Sequence, residues 1–243
     1  MVAGYRFAAL LSTRCASGVL LAALTLFGLP GCKFGSKPEF ERPESSLFQK
    51  LTGDDPEDDK GRWDQLFSTQ EYVFGKEPAL FLKEKVTQIP VGRALDIAMG
   101  EGRNAVFLAK KGFAVEGVDI SDVAVQKAKL LARENSVEIR TTVADLNTYQ
   151  IRPESYALIA TIQYLQRSLI PQIKAGVRRG GYVVYENPTV EELKRDSGRN
   201  LRRDYLLESG ELKRLFSDFE IVEYSEGPGE NGQIVARLLA RKP

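Results

Sequence analysis

Two glycines, Gly100 and Gly102, follow an apolar run that carries Asp96, and a second carboxylate, Asp119, closes the next apolar run. Those residue types at that spacing suit the binding of a nucleoside. In Ala94-Leu95-Asp96-Ile97-Ala98-Met99-Gly100-Glu101-Gly102-Arg103-Asn104 the glycines allow a tight turn and a close approach to a ligand. A helix starting near Arg103 turns its free N–H groups toward the same place. Asp119 then lies where a carboxylate accepts both hydroxyls of a ribose. Asp145, in Val143-Ala144-Asp145-Leu146, offers an acceptor to an adenine amino group, and the backbone N–H after it can bond the ring.

The same Gly100-x-Gly102-x-x-Ala105 and later acid also satisfy a dinucleotide fingerprint. Asp96 and Asp145 weigh against that reading. A carboxylate ahead of the first glycine repels a pyrophosphate and suits an ammonium or sulfonium. Each residue also has a local role to fill. Asp119 before Ser121 favours a helix N-terminus, Asp145 is a turn former, Arg103 clamps a carboxylate, locks the glycine loop or is solvated on its helix, and Gln163 and Tyr164 suit packing.

The elements that must position these groups alternate. Strands are predicted at Arg93 to Ala98, Ala114 to Asp119, Ile139 to Val143, Tyr156 to Ile162 and Gly181 to Tyr185. Helices are predicted at Pro78 to Gln88, Arg103 to Lys111 closed by Gly112, Ser121 to about Glu134, Leu169 to Ala175 with Pro171 in its first turn, and Glu211 to Phe216. Phe219 to Ser225 and Ile234 to Ala240 read as a strand pair around Gly227-Pro228-Gly229. Strand–helix alternation implies an α/β, Rossmann-like three-layer sandwich, with a mostly parallel seven-stranded sheet and an antiparallel C-terminal hairpin strand. Ligands of such sheets bind beyond the carboxyl ends of the strands, where Asp96, Gly100, Asp119, Asp145 and Gln163 all fall.

Asp96-x-Ala98-x-Gly100-x-Gly102-Arg103-Asn104, Gly117-Val118-Asp119-Ile120-Ser121 and Ala144-Asp145-Leu146 together resemble the class I S-adenosylmethionine-dependent methyltransferases. Within them the chain is most similar to the tellurite-resistance and thiopurine-methyltransferase-like branch. Trp63-Asp64, Tyr72-x-x-Gly75-x-x-Pro78, Tyr164-Leu165-Gln166-Arg167 and Tyr205-Leu206-Leu207-Glu208 carry that likeness, which covers roughly residues 62 to 242. Ala157, where such families commonly carry an acid, and Arg179-Gly180-Gly181, which lacks the usual proline, depart from it. The resemblance implies S-adenosylmethionine as cofactor and a cover of Trp63, Tyr72 and Phe74 over it. The candidate cofactor-binding residues are Asp96, Ala98, Gly100, Gly102, Arg103, Asp119, Ile120, Ala144, Asp145, Leu146 and Gln163; no catalytic residue or metal ligand is assigned.

Composition narrows the chemistry further. The 243-residue chain has no histidine, and its two cysteines, Cys15 and Cys32, both precede the domain. Ser-His and Cys-His catalysis, imidazole zinc ligation and a domain disulfide are therefore excluded. Neither histidine nor an Asn/Asp-Pro-Pro-aromatic motif follows Ile162, which argues against base-nitrogen methylation; Asn187-Pro188 comes after the fifth strand instead. A basic loop, Lys194, Arg195, Arg199, Arg202 and Arg203, either attracts an oxyanion or forms a solvated lid. The expected activity is methyl transfer to a small-molecule acceptor such as a thiol or a chalcogen oxyanion. A membrane-anchored, non-catalytic binding module on the same fold is the alternative, and an NAD-dependent oxidoreductase stands third.

Arg6 and Arg14 lead an apolar run from Cys15 to Leu29 that closes in Leu29-Pro30-Gly31-Cys32. The run falls short of the ~20 residues of a spanning helix, so residues 1–31 read as a signal peptide. Its end resembles a bacterial lipoprotein box, which implies a lipidated Cys32 and membrane association, against a short uncleaved anchor or a different start. Residues 32–61 read as a disordered tether and 62–243 as the methyltransferase domain. Removing Arg6 and Arg14 leaves acids and bases nearly balanced, so nonspecific nucleic-acid binding is not expected. The side of the membrane stays open, because a methyl donor made inside the cell conflicts with export; oligomeric state is likewise open.

Overall fold

A computed structural model describes residues 59–195 and 201–243. The signal read at 1–31, Cys32 and the tether up to residue 58 lie outside the described residues, as does Arg199.

The chain builds one sheet of seven strands: β1 (Arg93–Ile97), β2 (Ala114–Asp119), β3 (Arg140–Val143), β4 (Tyr156–Ile162), β5 (Val177–Pro188), β6 (Glu220–Pro228) and β7 (Ile234–Arg241). Their order is β3-β2-β1-β4-β5-β7-β6. β1 pairs in parallel with both β2 and β4, so the order reverses there and opens a crevice at the carboxyl ends. β2–β3 and β4–β5 are also parallel, whereas β7 runs antiparallel to β5 and β6. This is the mostly parallel α/β sheet with a C-terminal antiparallel pair that the alternation predicts.

The strand period of two divides the apolar residues between two faces. Leu95 and Ile97 enter one core with Ile170 and Ile173 of α5 (Ile170–Gly176) and Leu212 of α6 (Glu211–Leu215). Ala94 enters the other with Leu82 of α2 (Leu80–Lys85), Leu108 of α3 (Arg103–Lys110) and Val125 and Ala128 of α4 (Asp122–Glu134). Helices thus cover both faces. Ser121 caps α4 as its sequence suggests, its hydroxyl accepting the Ala124 amide at 3.1 Å.

Several boundaries differ from expectation. A helix, α1 (Asp59–Phe67), starts inside the stretch read as tether, because Leu66 and Phe67 bury its last turn. The helix expected over Pro78 to Gln88 is α2 followed by a 3-10 turn at Val86–Gln88. The first strand stops at Ile97 because Ala98 takes a φ of 51°. β5 extends to Pro188, since β7 supplies partners from Tyr182 onward that no local pattern announces. Ala157 is 2 % exposed, and a Cβ built on Gly92 would lie 2.8 Å from its own, so the acid common there in similar families has no room. Among the described residues no helix is long and apolar enough to cross a membrane.

Candidate functional site

The turn leaving β1 is held open by its own backbone. Ala98, Gly100 and Gly102 all take positive φ, at 51°, 54° and 85°. Left-handed geometry is free for glycine and strained for alanine. The Met99 amide reaches the Val118 carbonyl at 3.0 Å and the Gly102 amide the Met99 carbonyl at 3.1 Å. A Cβ on Gly102 would meet that of Ala128 at 2.6 Å, so α4 packs flush against the loop.

Asp119 closes this turn from the end of β2. Its Oδ2 accepts the Gly100 amide at 2.8 Å and its Oδ1 the Ser121 amide at 2.9 Å. Burial pushes its carboxyl above the usual value, against the pull of the Ser121, Gly100 and Ile120 amides. Asp96 is 1 % exposed and its Oδ2 has no hydrogen-bond partner. Burial pushes it up to about 7, with Asp119 adding to the rise and Arg103 and the Ala105 amide opposing it.

The pocket over this turn is lined by Ala98, Gly100, Arg103, Asp119, Ile120, Asp145, Leu146 and Gln163 among the residues chosen from sequence. Asp96, Gly102 and Ala144 are not on its wall. They stand behind it, Asp96 buried beside the Ala105 amide, Gly102 against α4, and Ala144 with its amide on the Asp119 carbonyl at 2.9 Å. Asp59, Phe67, Met99, Glu101, Asn104, Asn147 and Ile162 line the pocket without having been singled out. Their neighbourhood to the motif was the available signal for Met99, Glu101 and Asn104; for Asp59 and Phe67 it is tertiary docking alone. Asp145 is also the turn former it promised to be, its Oδ1 accepting both the amide and the side-chain N–H of Asn147.

Trp63, Phe67 and Phe74 form an aromatic wall. Trp63 stacks on Phe67 at 5.7 Å, and Phe74 meets Phe67 edge-on at 6.2 Å. Tyr72, expected in this cover, instead packs against Val106, Leu131 and Ala132 and donates its hydroxyl to the Lys127 carbonyl. The wall is fastened to α4. The Ser121 hydroxyl donates to Asp64 at 2.6 Å, and Lys127 reaches the carbonyls of Phe67, Thr69 and Glu71. Lys127 also pairs with Glu101 at 2.5 Å, where the Glu101 side chain is 2 % exposed.

Arg103 donates to the Phe74 carbonyl at 3.2 Å, so it locks the cover segment to the glycine turn. Burial lowers its pKa, and Glu230, Asp96, Glu186 and Glu101 counter that. The described cations of the basic loop are committed nearby: Lys194 to Glu191, Arg195 to Glu192, Arg202 to Asp204 and Arg203 to Glu208. Their charges are largely answered locally, which fits a solvated lid better than an oxyanion trap. Asn187 is spent too, its amide donating to the carbonyls of Pro188 and Tyr205.

A family model described as "Tellurite resistance protein TehB" matches residues 68–236. A curated protein from Haemophilus influenzae called "Probable S-adenosyl-L-methionine-dependent methyltransferase TehB" is 26% identical over 163 residues, 62% of this chain and 57% of that protein. "Hemagglutinin 1" of Eikenella corrodens is 27% identical over 156 residues, 61% of this chain and 50% of that one. The chain thus matches only about half the length of these curated relatives. The crystal structure of TehB from Haemophilus influenzae superposes with a TM-score of 0.56 at 22% identity, covering 67% of this chain and 61% of that one.

Proposed function

The chain belongs to the TehB family of tellurite resistance proteins, and from that premise we propose that it is an S-adenosylmethionine-dependent methyltransferase acting on a small molecule. The observation that carries this reading is the pairing of Asp119 with the Gly100 amide at the switch point, in one pocket with Asp145. A ribose, an adenine and an amino-acid tail each find complementary chemistry there. Asp119 keeps lone pairs beyond its two amide bonds for ribose hydroxyls. Asp145 offers Oδ2 to the adenine amino group. The orphaned, buried Oδ2 of Asp96 suits a positively charged group nearby.

When bound, S-adenosylmethionine supplies a methyl group on a sulfonium, which an acceptor takes by in-line displacement. The chain's own task is alignment and exclusion of water. Trp63, Phe67 and Phe74 exclude water, and Arg103 joins their segment to the glycine turn. Histidine is absent, and burial raises the pKa of Tyr164, the tyrosine on the pocket wall, which makes it a poor base. The acceptor class that needs least help is a soft or already anionic nucleophile, such as a thiolate or a chalcogen oxyanion. The likeness of Leu29-Pro30-Gly31-Cys32 to a lipoprotein box supports attachment of the domain to a membrane through Cys32.

Calorimetry of the full-length protein with S-adenosylmethionine tests the central reading. Micromolar-range binding that Asp119→Ala abolishes is expected, and no heat of binding for the wild type overturns it. A methyl-donor turnover screen against thiols, chalcogen oxyanions and small carboxylates then identifies the acceptor. Membrane fractionation of wild type and Cys32→Ser, with protease accessibility, tests the anchor and its side.

A further inference from the structure

One rim of the pocket is closed by a run of side-chain hydrogen bonds between the loop after β3 and the loop after β4. Tyr164, on the pocket wall, donates its hydroxyl to Gln166 Oε1 at 2.6 Å. Gln166 Nε2 donates to Asn147 Oδ1 at 3.1 Å and to the Ser168 hydroxyl at 3.1 Å. Asn147 in turn gives both its backbone and its side-chain N–H to Asp145 Oδ1, at 2.8 and 2.9 Å. The run is directional: every amide orientation is fixed by its neighbour, from the tyrosine at one end to the carboxylate at the other.

We infer that Gln166 is a positioning residue that sets the base specificity of the site by clasping Asn147, so that Asp145 presents only Oδ2 to the ligand. This rests on the nucleoside-cofactor reading above. With both Asn147 donors on Oδ1, the remaining oxygen accepts from an exocyclic amino group and repels a ring carbonyl in the same place. The clasp also fixes Tyr164. Its proton is given to Gln166, and its backbone carbonyl accepts the Tyr185 hydroxyl at 2.9 Å. A site held in this way tells adenine from hypoxanthine, because the wrong base sets a carbonyl oxygen against a carboxylate oxygen where the amino group would donate.

S-adenosylhomocysteine and its deaminated counterpart, S-inosylhomocysteine, differ at that position and at the adjoining ring nitrogen N1, which accepts in adenine and carries a hydrogen in hypoxanthine, and serve as probes. Each is titrated calorimetrically into the full-length wild type, Gln166→Met, Asn147→Ala, the double variant and Tyr164→Phe. The wild type is expected to prefer the adenosine form, and Gln166→Met to shrink that preference by about fivefold, the worth of one well-placed hydrogen bond. Asn147→Ala, which cuts the clasp and also the side-chain bond to Asp145, is expected to shrink the preference at least as much, and the double variant to match Asn147→Ala, since the clasp acts only through Asn147. Tyr164→Phe, which leaves Gln166 on Asn147, is expected to keep most of it. A ratio of affinities does not move when a variant merely loses stability. Wild-type discrimination left unchanged by Gln166→Met overturns the clasp alone; a wild type that binds neither probe overturns the cofactor reading and the clasp with it.

Discussion

Asp119 holds the Gly100 amide at 2.8 Å across 19 residues of sequence, and that bond joins the end of β2 to the turn leaving β1. A single carboxylate thereby shapes the turn and faces the pocket. Asp119→Ala is expected to leave the Gly100 and Ser121 amides without their acceptor, at about 1–3 kcal/mol. Asp119→Asn, which retains one acceptor oxygen, is expected to recover part of the stability but not full cofactor affinity. Chemical denaturation and calorimetry on the same samples separate the two effects; equal stability of the alanine variant and wild type would contradict the structural half.

Asp96 links stability and binding to pH. Its folded carboxyl is raised by burial from an ordinary 3.8 to about 7. Between those values the folded protein keeps a proton that the unfolded chain has released, so this group makes stability fall as pH rises through that window. Above about 7 both states are ionised and the slope vanishes. Asp96→Asn is expected to remove that slope. A cationic ligand above Asp96 favours its ionised form, so binding near about pH 6 is expected to release a proton. Titrations in buffers of different ionisation enthalpy read the release directly, and it should be missing in Asp96→Asn.

The two glycines of the turn are not equivalent. At Gly100 an added Cβ has its nearest neighbour, Phe67, at 3.6 Å, whereas at Gly102 it meets Ala128 at 2.6 Å and that residue's backbone at 3.0 Å. Both substitutions carry backbone strain of about 1–2 kcal/mol. Gly102→Ala adds a displacement of α4, and is expected to lower the thermal midpoint clearly more than Gly100→Ala. Comparable midpoints would show that α4 gives way without cost.

Lys127 tests how the aromatic wall is held. Lys127→Met leaves the buried Glu101 without its cation and frees the carbonyls of Phe67, Thr69 and Glu71. A loss of about 3 kcal/mol is expected. Proteolysis should quicken within 67–71. Adding Glu101→Gln to Lys127→Met is expected to restore part of the stability, because the stranded charge disappears. No recovery would mean the carbonyl contacts, not the ion pair, dominate.

The sequence by itself determined the parts of this protein that depend on local pattern. Apolar runs of strand length, Ser121 as a cap and Gly112 as a stop specified β1, β2, β4, α3 and α4 nearly residue by residue, and the order of Asp96, Gly100, Asp119 and Asp145 located the pocket at the carboxyl ends. Tertiary structure alone decided what depends on partners distant in sequence. β5 runs on to Pro188 because β7 pairs with it, and α1 forms where Leu66 and Phe67 find the face of α4. Asp96 carries its motif spacing openly, yet only packing shows that it lies behind the pocket wall, raised to about 7. Tyr72 and Phe74 are two residues apart with similar rings, and one packs on α3 and α4 while the other lines the pocket. Which way a ring turns is set by the surface it meets, and that surface exists only once α4 and the glycine turn have come together.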